Sequence, residues 1–232
     1  YWIPRQSTPL NGTYVTYDWE AMLGILALEA ERAGAVLVGE DLGTLEPWVQ
    51  NALQDMGVLG TTIIWFEHAN EGPTPRPQDQ YRHMAMSSVG THDLPPTLAF
   101  LRGDHIALRA RLGLLTRPVA EEEAEDRAWQ EEVKDNLQAY GMLENRKNEE
   151  DVLVALHRYV AGTPSALTVT NVVDMVGDVR AQNQPGTTKD QYPNWCIPLC
   201  NTAGDPVLLE DLPKQELYQR LAQAAKRPGA ER

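Results

Sequence analysis

Two carboxylates in this chain stand where an apolar run gives way to the start of a helix. Ala35-Val36-Leu37-Val38 leads into Gly39-Glu40-Asp41-Leu42-Gly43, and Met84-Ala85-Met86-Ser87-Ser88-Val89 leads into Gly90-Thr91-His92-Asp93. Acids at the carboxyl ends of two different strands lie where a parallel α/β barrel assembles its active site. Such acids suit glycosidic cleavage, in which one carboxylic acid protonates the leaving oxygen and, in retaining enzymes, a carboxylate attacks the anomeric carbon. Glu40 fits the donor role, because a partly buried strand-end site beside other acids raises a carboxyl pKa toward what a general acid needs. Asp93 can hold sugar hydroxyls and balance positive charge developing on the anomeric carbon. On the pattern alone Asp41 also reads as a helix cap and Glu40 as a strand-end surface charge, and both readings stay open.

The elements that position these acids follow from periodicity. Asp18 is placed to cap a helix whose apolar residues Trp19, Met22, Leu23, Leu26 and Ala30 fall on one face, with Gly34 just past its end. The expected strands are 35–39, 61–66, 84–89 and 166–170, alternating with helices that include one opening at Pro47, one capped by Asp104, one around 152–160 and one over 215–226. The segment 67–83, with three prolines, reads as a long loop from one barrel end, the kind that covers a site. Glu121-Glu122-Glu123, Glu125, Asp126, Glu131, Glu132 and Asp135 read as a solvated helix face.

Composition limits the partners. Twenty Lys and Arg against 33 Asp and Glu give the 232-residue chain a net charge of −13, which argues against a nucleic acid or an anionic membrane surface and is compatible with a neutral sugar. Cys196 and Cys200 make no disulfide framework, and no His or Cys cluster has zinc spacing, so a cytoplasmic setting and no metal or organic cofactor are expected. The chain starts Tyr1-Trp2-Ile3-Pro4 without an initiator Met, signal peptide or transmembrane run, and reads as a piece of a longer product.

Val38-Gly39-Glu40-Asp41-Leu42-Gly43, Val89-Gly90-Thr91-His92-Asp93-Leu94-Pro95, and Asn183-Gln184-Pro185-Gly186-Thr187 with Asn194-Trp195, in this order, resemble the 4-α-glucanotransferases (amylomaltases, disproportionating enzymes) of glycoside hydrolase family 77. The likeness covers nearly the whole chain and is that of the family's C-terminal part. It implies an α/β fold, the C-terminal half of a (β/α)8 TIM-type barrel with helical insertions, in which residues 1–232 form one part of the catalytic barrel and 103–162 a helical insertion. It implies that Glu40 is the acid/base catalyst and Asp93 the transition-state stabiliser. His92 would bond a sugar hydroxyl, Phe66 would offer an aromatic face at the acceptor side, and Tyr14 and Asn183 would also touch substrate. The partners implied are α-1,4-glucans and maltooligosaccharides.

Two departures qualify the likeness. The family's nucleophile is an aspartate in an Arg-x-Asp-His motif that this chain does not contain, and Cys196 follows Trp195 where the family commonly has arginine. The expectation is therefore a fragment of a retaining transferase, inactive alone, that hides its open barrel edges by self-association. The alternatives are a non-catalytic glucan-binding or assembly module and a barrel hydrolase acting on another sugar.

Overall fold

A computed structural model describes residues 1–43, 45–69 and 72–227. The chain divides into two units, Tyr1–Gly60 and Thr61–Arg232.

In the first unit, the Asp18 carboxylate accepts the Ala21 N–H at 3.2 Å and starts α1 (Trp19–Ala33). Gly34, at φ 61°, ends it in the left-handed conformation that glycine adopts without Cβ strain. The helix has no buried residue, and Met22, Ile25, Leu26 and Leu28 are exposed. Pro47 opens α2 (Pro47–Asp55), and Trp48 meets Trp19 with ring centroids 5.0 Å apart. The strand expected at 35–39 is reduced to a single parallel bridge, Val38 with Leu59. Its bonds are Gly39 N–H to Leu59 O at 2.8 Å and Leu59 N–H to Leu37 O at 3.0 Å. A parallel strand needs a ladder rather than one rung, and Leu59 is the partner that the segment bonds.

The second unit is built on a three-stranded sheet of order β1 (Gly60–Ile63), β2 (Ala85–Ser88), β3 (Leu167–Val169). β2 and β3 are parallel, with Met86 beside Leu167 and Ser88 beside Val169. The expected strand 61–66 stops at Ile63, because Ile64–Phe66 turns into a 3-10 helix closed by Glu67 N–H to Ile64 O at 3.3 Å. That turn buries Trp65 and leaves Phe66 exposed, where a continuing strand would have put Ile64 and Phe66 on one face.

The helices of this unit are α3 (Thr97–Arg102), α4 (Asp104–Arg111), α5 (Val119–Ala139), α6 (Glu149–Ala161), α7 (Val172–Val176) and α8 (Glu216–Ala224). Gly103 at φ 76°, rather than an Asp104 side chain, separates α3 from α4. The Asn148 side chain accepts from Glu150 and Asp151 N–H and starts α6, whose Val152–Leu156 stretch is wholly buried. Leu98, Leu153, Val154, Leu217, Leu221 and Ala224 form a core across α3, α6 and α8. α6 is thus the centre of the unit's packing, and its run of adjacent apolar residues gives it cover on several sides. α5 hides Trp129, Gln130, Val133 and Leu137 and turns most of its acids to solvent. Asp126 and Glu122 depart from that solvated face, with side chains only 12% and 13% exposed.

The loop 67–83, of which Asn70 and Glu71 lie outside the described residues, is tied down rather than free. Glu67 and Arg76 pair at 2.7 Å, the Tyr159 hydroxyl donates to Arg76 O at 2.7 Å, and Gln78 Nε2 donates to Tyr159 O at 2.6 Å.

Two buried acids set measurable properties of this unit. Asp174 on α7 accepts both the N–H and the hydroxyl of Thr97, at 2.8 and 2.7 Å, and lies 3.2 Å from His157 Nε2. Replacing Asp174 by Ala leaves those groups buried without partners, and urea unfolding is expected to show a loss of about 3 kcal/mol. For Asp126, burial pushes the carboxyl up from 3.8 to about 6, while burial lowers the neighbouring His105. A folded pKa above the unfolded one contributes stability that is full below about pH 4 and lost as pH rises through about 6. An Asp126→Asn chain is therefore expected to gain melting temperature relative to the unsubstituted chain across that interval. Because His105 Nε2 lies 3.9 Å from Asp126 and titrates in the opposing sense, both chains are compared in a His105→Gln background, where a constant difference would contradict the assignment.

Candidate active site

The segment that carries Asp93 is short and held at both ends. Val89 is fully buried after β2, and the Ser88 hydroxyl donates to Gly90 O at 2.9 Å. Leu94 N–H bonds Thr91 O and Asp93 N–H bonds Thr91 Oγ1, both at 3.2 Å, so residues 91–94 make a tight turn. Beyond Pro95-Pro96 the Asp174 carboxylate holds the first residue of α3 through Thr97. The turn is anchored by a strand on one side and a buried acid on the other, and it leaves His92 and Asp93 exposed.

A second segment comes to meet it. Asp178, itself buried, accepts from Arg180 at 2.9 and 2.7 Å and from Cys200 N–H at 2.9 Å, while Arg180 also donates to Pro198 O at 2.6 Å. The hydrogen bonds to Asp178 push the Arg180 guanidinium above its ordinary pKa. Farther along, Asn194 accepts Gln184 N–H at 2.7 Å and donates to Thr187 Oγ1 at 2.9 Å, and Trp195 N–H reaches Gln182 O at 2.8 Å. Trp195 sits at φ 62°, a left-handed conformation that a bulky residue adopts only when its surroundings impose it. Its indole is 63% exposed and lies 5.2 Å, centroid to centroid, from the His92 ring.

Between the two segments Asn183 Nδ2 donates to Asp93 Oδ1 at 2.6 Å, and His92 Nε2 is 3.5 Å from the same oxygen. Phe66, Asp93 and Asn183 line one cavity of about 440 Å3, together with Trp65, Arg109 and Gln184. Three residues singled out from sequence therefore share one cleft, and His92 adjoins it. The arrangement combines an exposed aromatic ring, a carboxylate and an amide, which is what a neutral polyol needs for stacking and hydroxyl bonding.

Glu40 and Tyr14 belong to the first unit. Glu40 is exposed, not partly buried as the sequence reading required, and its neighbour Asp41 is the buried acid, bonded by Gln50 Nε2 at 3.2 Å. Tyr14 is exposed and packs edge-on against Tyr1 at 4.8 Å. Among the described residues no group of three or more His, Cys, Asp or Glu side chains is placed to hold a metal ion. No helix among them is long and apolar enough to cross a membrane.

Sequence reasoning missed the two acids that support the cleft. Asp174 and Asp178 lie near the start and just past the end of a five-residue helix, with no periodic pattern to mark them. The single clue was Thr97 directly after a Pro-Pro pair, a residue type that fits a helix start.

Comparison with known proteins gives the family. The family model described as 4-alpha-glucanotransferase, of glycoside hydrolase family 77, matches residues 1–202. A curated 4-alpha-glucanotransferase of Mycobacterium tuberculosis is 49% identical over 97% of this chain and 32% of its own length. One from Haemophilus influenzae is 28% identical over 84% of this chain and 29% of its own. The crystal structure of amylomaltase from Corynebacterium glutamicum superposes with a TM-score of 0.91 at 54% identity, over 97% of this chain and 34% of that one. The chain spans about a third of the length of the curated relatives it matches. With a family model covering most of its residues and the cleft above lying within that match, the chain belongs to the 4-alpha-glucanotransferase family.

Proposed function

We propose that this chain is part of a retaining 4-alpha-glucanotransferase that moves α-1,4-glucan segments between maltooligosaccharides. The observation that carries the reading is the cleft in which Phe66, Asp93 and Asn183 meet, inside a chain that belongs to this family. Further support comes from the α/β sheet, read here as part of a (β/α)8 barrel whose remaining strands lie in sequence this chain does not span.

In this mechanism the Glu40 carboxyl protonates the glycosidic oxygen as the donor bond breaks, and an aspartate outside this chain takes the anomeric carbon as a covalent ester. The acceptor's sugar 4-hydroxyl then gives its proton back to Glu40 and displaces the aspartate, restoring both carboxyl groups and the original configuration. Asp93, held by Asn183, stabilises positive charge on the anomeric carbon in both steps. His92 bonds a hydroxyl of the same sugar, Phe66 stacks on the acceptor, and Tyr14 contacts substrate. Carboxylates carry the whole sequence, so no metal or organic cofactor is called on, and a cytoplasmic setting suits glucan exchange. Without its nucleophile the chain by itself turns nothing over. Its remaining glucan contacts, at Phe66, Asp93 and Asn183, make binding without turnover the second reading for the isolated chain.

In the longer protein Glu40→Gln is expected to lower maltotriose disproportionation by at least about a hundredfold, and Asp93→Asn by a similar factor. Glucose release near the unsubstituted rate from either variant would remove that residue from the mechanism. The same assay on this chain alone should yield no longer maltooligosaccharides, and product there would mean that one of its own acids is the nucleophile. The exposed apolar residues of α1 are read as a surface that seeks cover, so the isolated chain is expected to self-associate. Light scattering that gives a monomeric mass at high concentration would count against this.

A further inference from the structure

Beside the cleft lies a second cavity, of about 700 Å3, walled by the turn Ile64–Phe66, by Gly72-Pro73 and by α5. It shares Trp65, Phe66, Phe100 and His105 with the cleft that holds Asp93, so the two are continuous around the exposed ring of Phe66. Its wall is aromatic. Trp65 and Phe100 lie 4.2 Å apart at 30°, and His68 and Trp129 lie 4.2 Å apart at 40°. Its rim carries a single cation, Arg117, which pairs with Glu122 at 3.0 Å and with Glu125 at 2.5 Å, so acids outnumber bases there.

Three buried ring nitrogens on this wall, His68 Nδ1, His105 Nδ1 and Trp129 Nε1, have no hydrogen-bond partner among the described residues. An indole N–H left unpaired in an interior is costly, and an oxygen from a ligand is the group that would satisfy it. Aromatic faces, an excess of acids that repels an anion, and an unmet donor together select a neutral, hydroxyl-rich ligand with apolar ring faces over an anion or an aliphatic chain.

We infer that this cavity is an accessory glucan-binding subsite, which takes the sugar units of an acceptor that extend past Phe66. The inference rests on the proposed glucan chemistry of the neighbouring cleft and adds to it a determinant of acceptor length. An acceptor that reaches the cavity is held at two places on one chain, while glucose alone meets only the cleft.

The test uses this chain and maltohexaose, followed through the indole N–H resonances in 1H–15N spectra, with the Trp129 signal identified by its absence from a Trp129→Phe chain. The Trp129 resonance is expected to shift on titration. Arg117→Ala, a change at the half-exposed rim that leaves the core untouched, is expected to weaken maltohexaose binding about fivefold. Trp129→Phe is expected to weaken it by a similar factor, with circular dichroism confirming that both variants stay folded. Unchanged affinity in both variants, a Trp129 signal that stays still, or no binding of maltohexaose by the unsubstituted chain would each overturn the subsite. Transfer by the longer protein is decided separately by the Glu40→Gln assay. Loss of the subsite with transfer intact, and binding here with no transfer there, are thus distinguishable outcomes.

Discussion

A single buried carboxylate couples the elements on which the cleft depends. Asp174, almost fully enclosed on α7, accepts two hydrogen bonds from Thr97 at the start of α3 and faces His157 in the middle of α6. Burying an acid is costly unless donors surround it, and burying the first turn of a helix is costly unless acceptors reach its free N–H groups. Each group here meets the other's need. The consequence for function lies four residues upstream of Thr97, because the turn bearing His92 and Asp93 is pinned between β2 and that helix start. Asp178 plays the same part for the segment that brings Asn183 to Asp93, through Arg180 and the Cys200 N–H.

The sheet itself is held by hydroxyls as much as by apolar packing. Thr62 and Ser87 are fully buried and bonded to each other across β1 and β2. Ser87 also donates to Ser165 at 2.6 Å, which passes the chain on to Arg82 O at 2.8 Å. Buried positions are more commonly filled with apolar residues, and a polar interior persists only when each hydroxyl finds a partner. This chain of donors supplies one, and Arg227 closes it from the other end by donating to Thr163, Ser165 and Ala166 carbonyls.

Two exposed rings border the proposed cleft. Phe66 emerges because β1 ends in a 3-10 turn, and Trp195 emerges because its backbone is held at a positive φ beside His92. Both rings flank the carboxylate of Asp93 and the amide of Asn183, the combination on which the proposed glucan cleft rests.

Much of this was legible in the residues. Asp18, Gly34 and Pro47 act through local backbone geometry, so both ends of α1 and the start of α2 follow from neighbours in sequence. The strand-end motif likewise named His92 and Asp93, and the resemblance added Asn183 and the family to which the chain belongs. What the sequence could not decide depends on partners far along the chain. Segment 35–39 has strand character but bonds as one rung with Leu59, because a ladder depends on what lies beside it. Exposure of Glu40, burial of Asp126 and the turn that frees Phe66 were likewise set by packing. The Asp174 network joins residues 77 apart, a separation that no periodicity records. Local chemistry fixed which residues could act, and only long-range contact decided which of them share a cleft, because burial and hydrogen-bond satisfaction are properties of the folded neighbourhood.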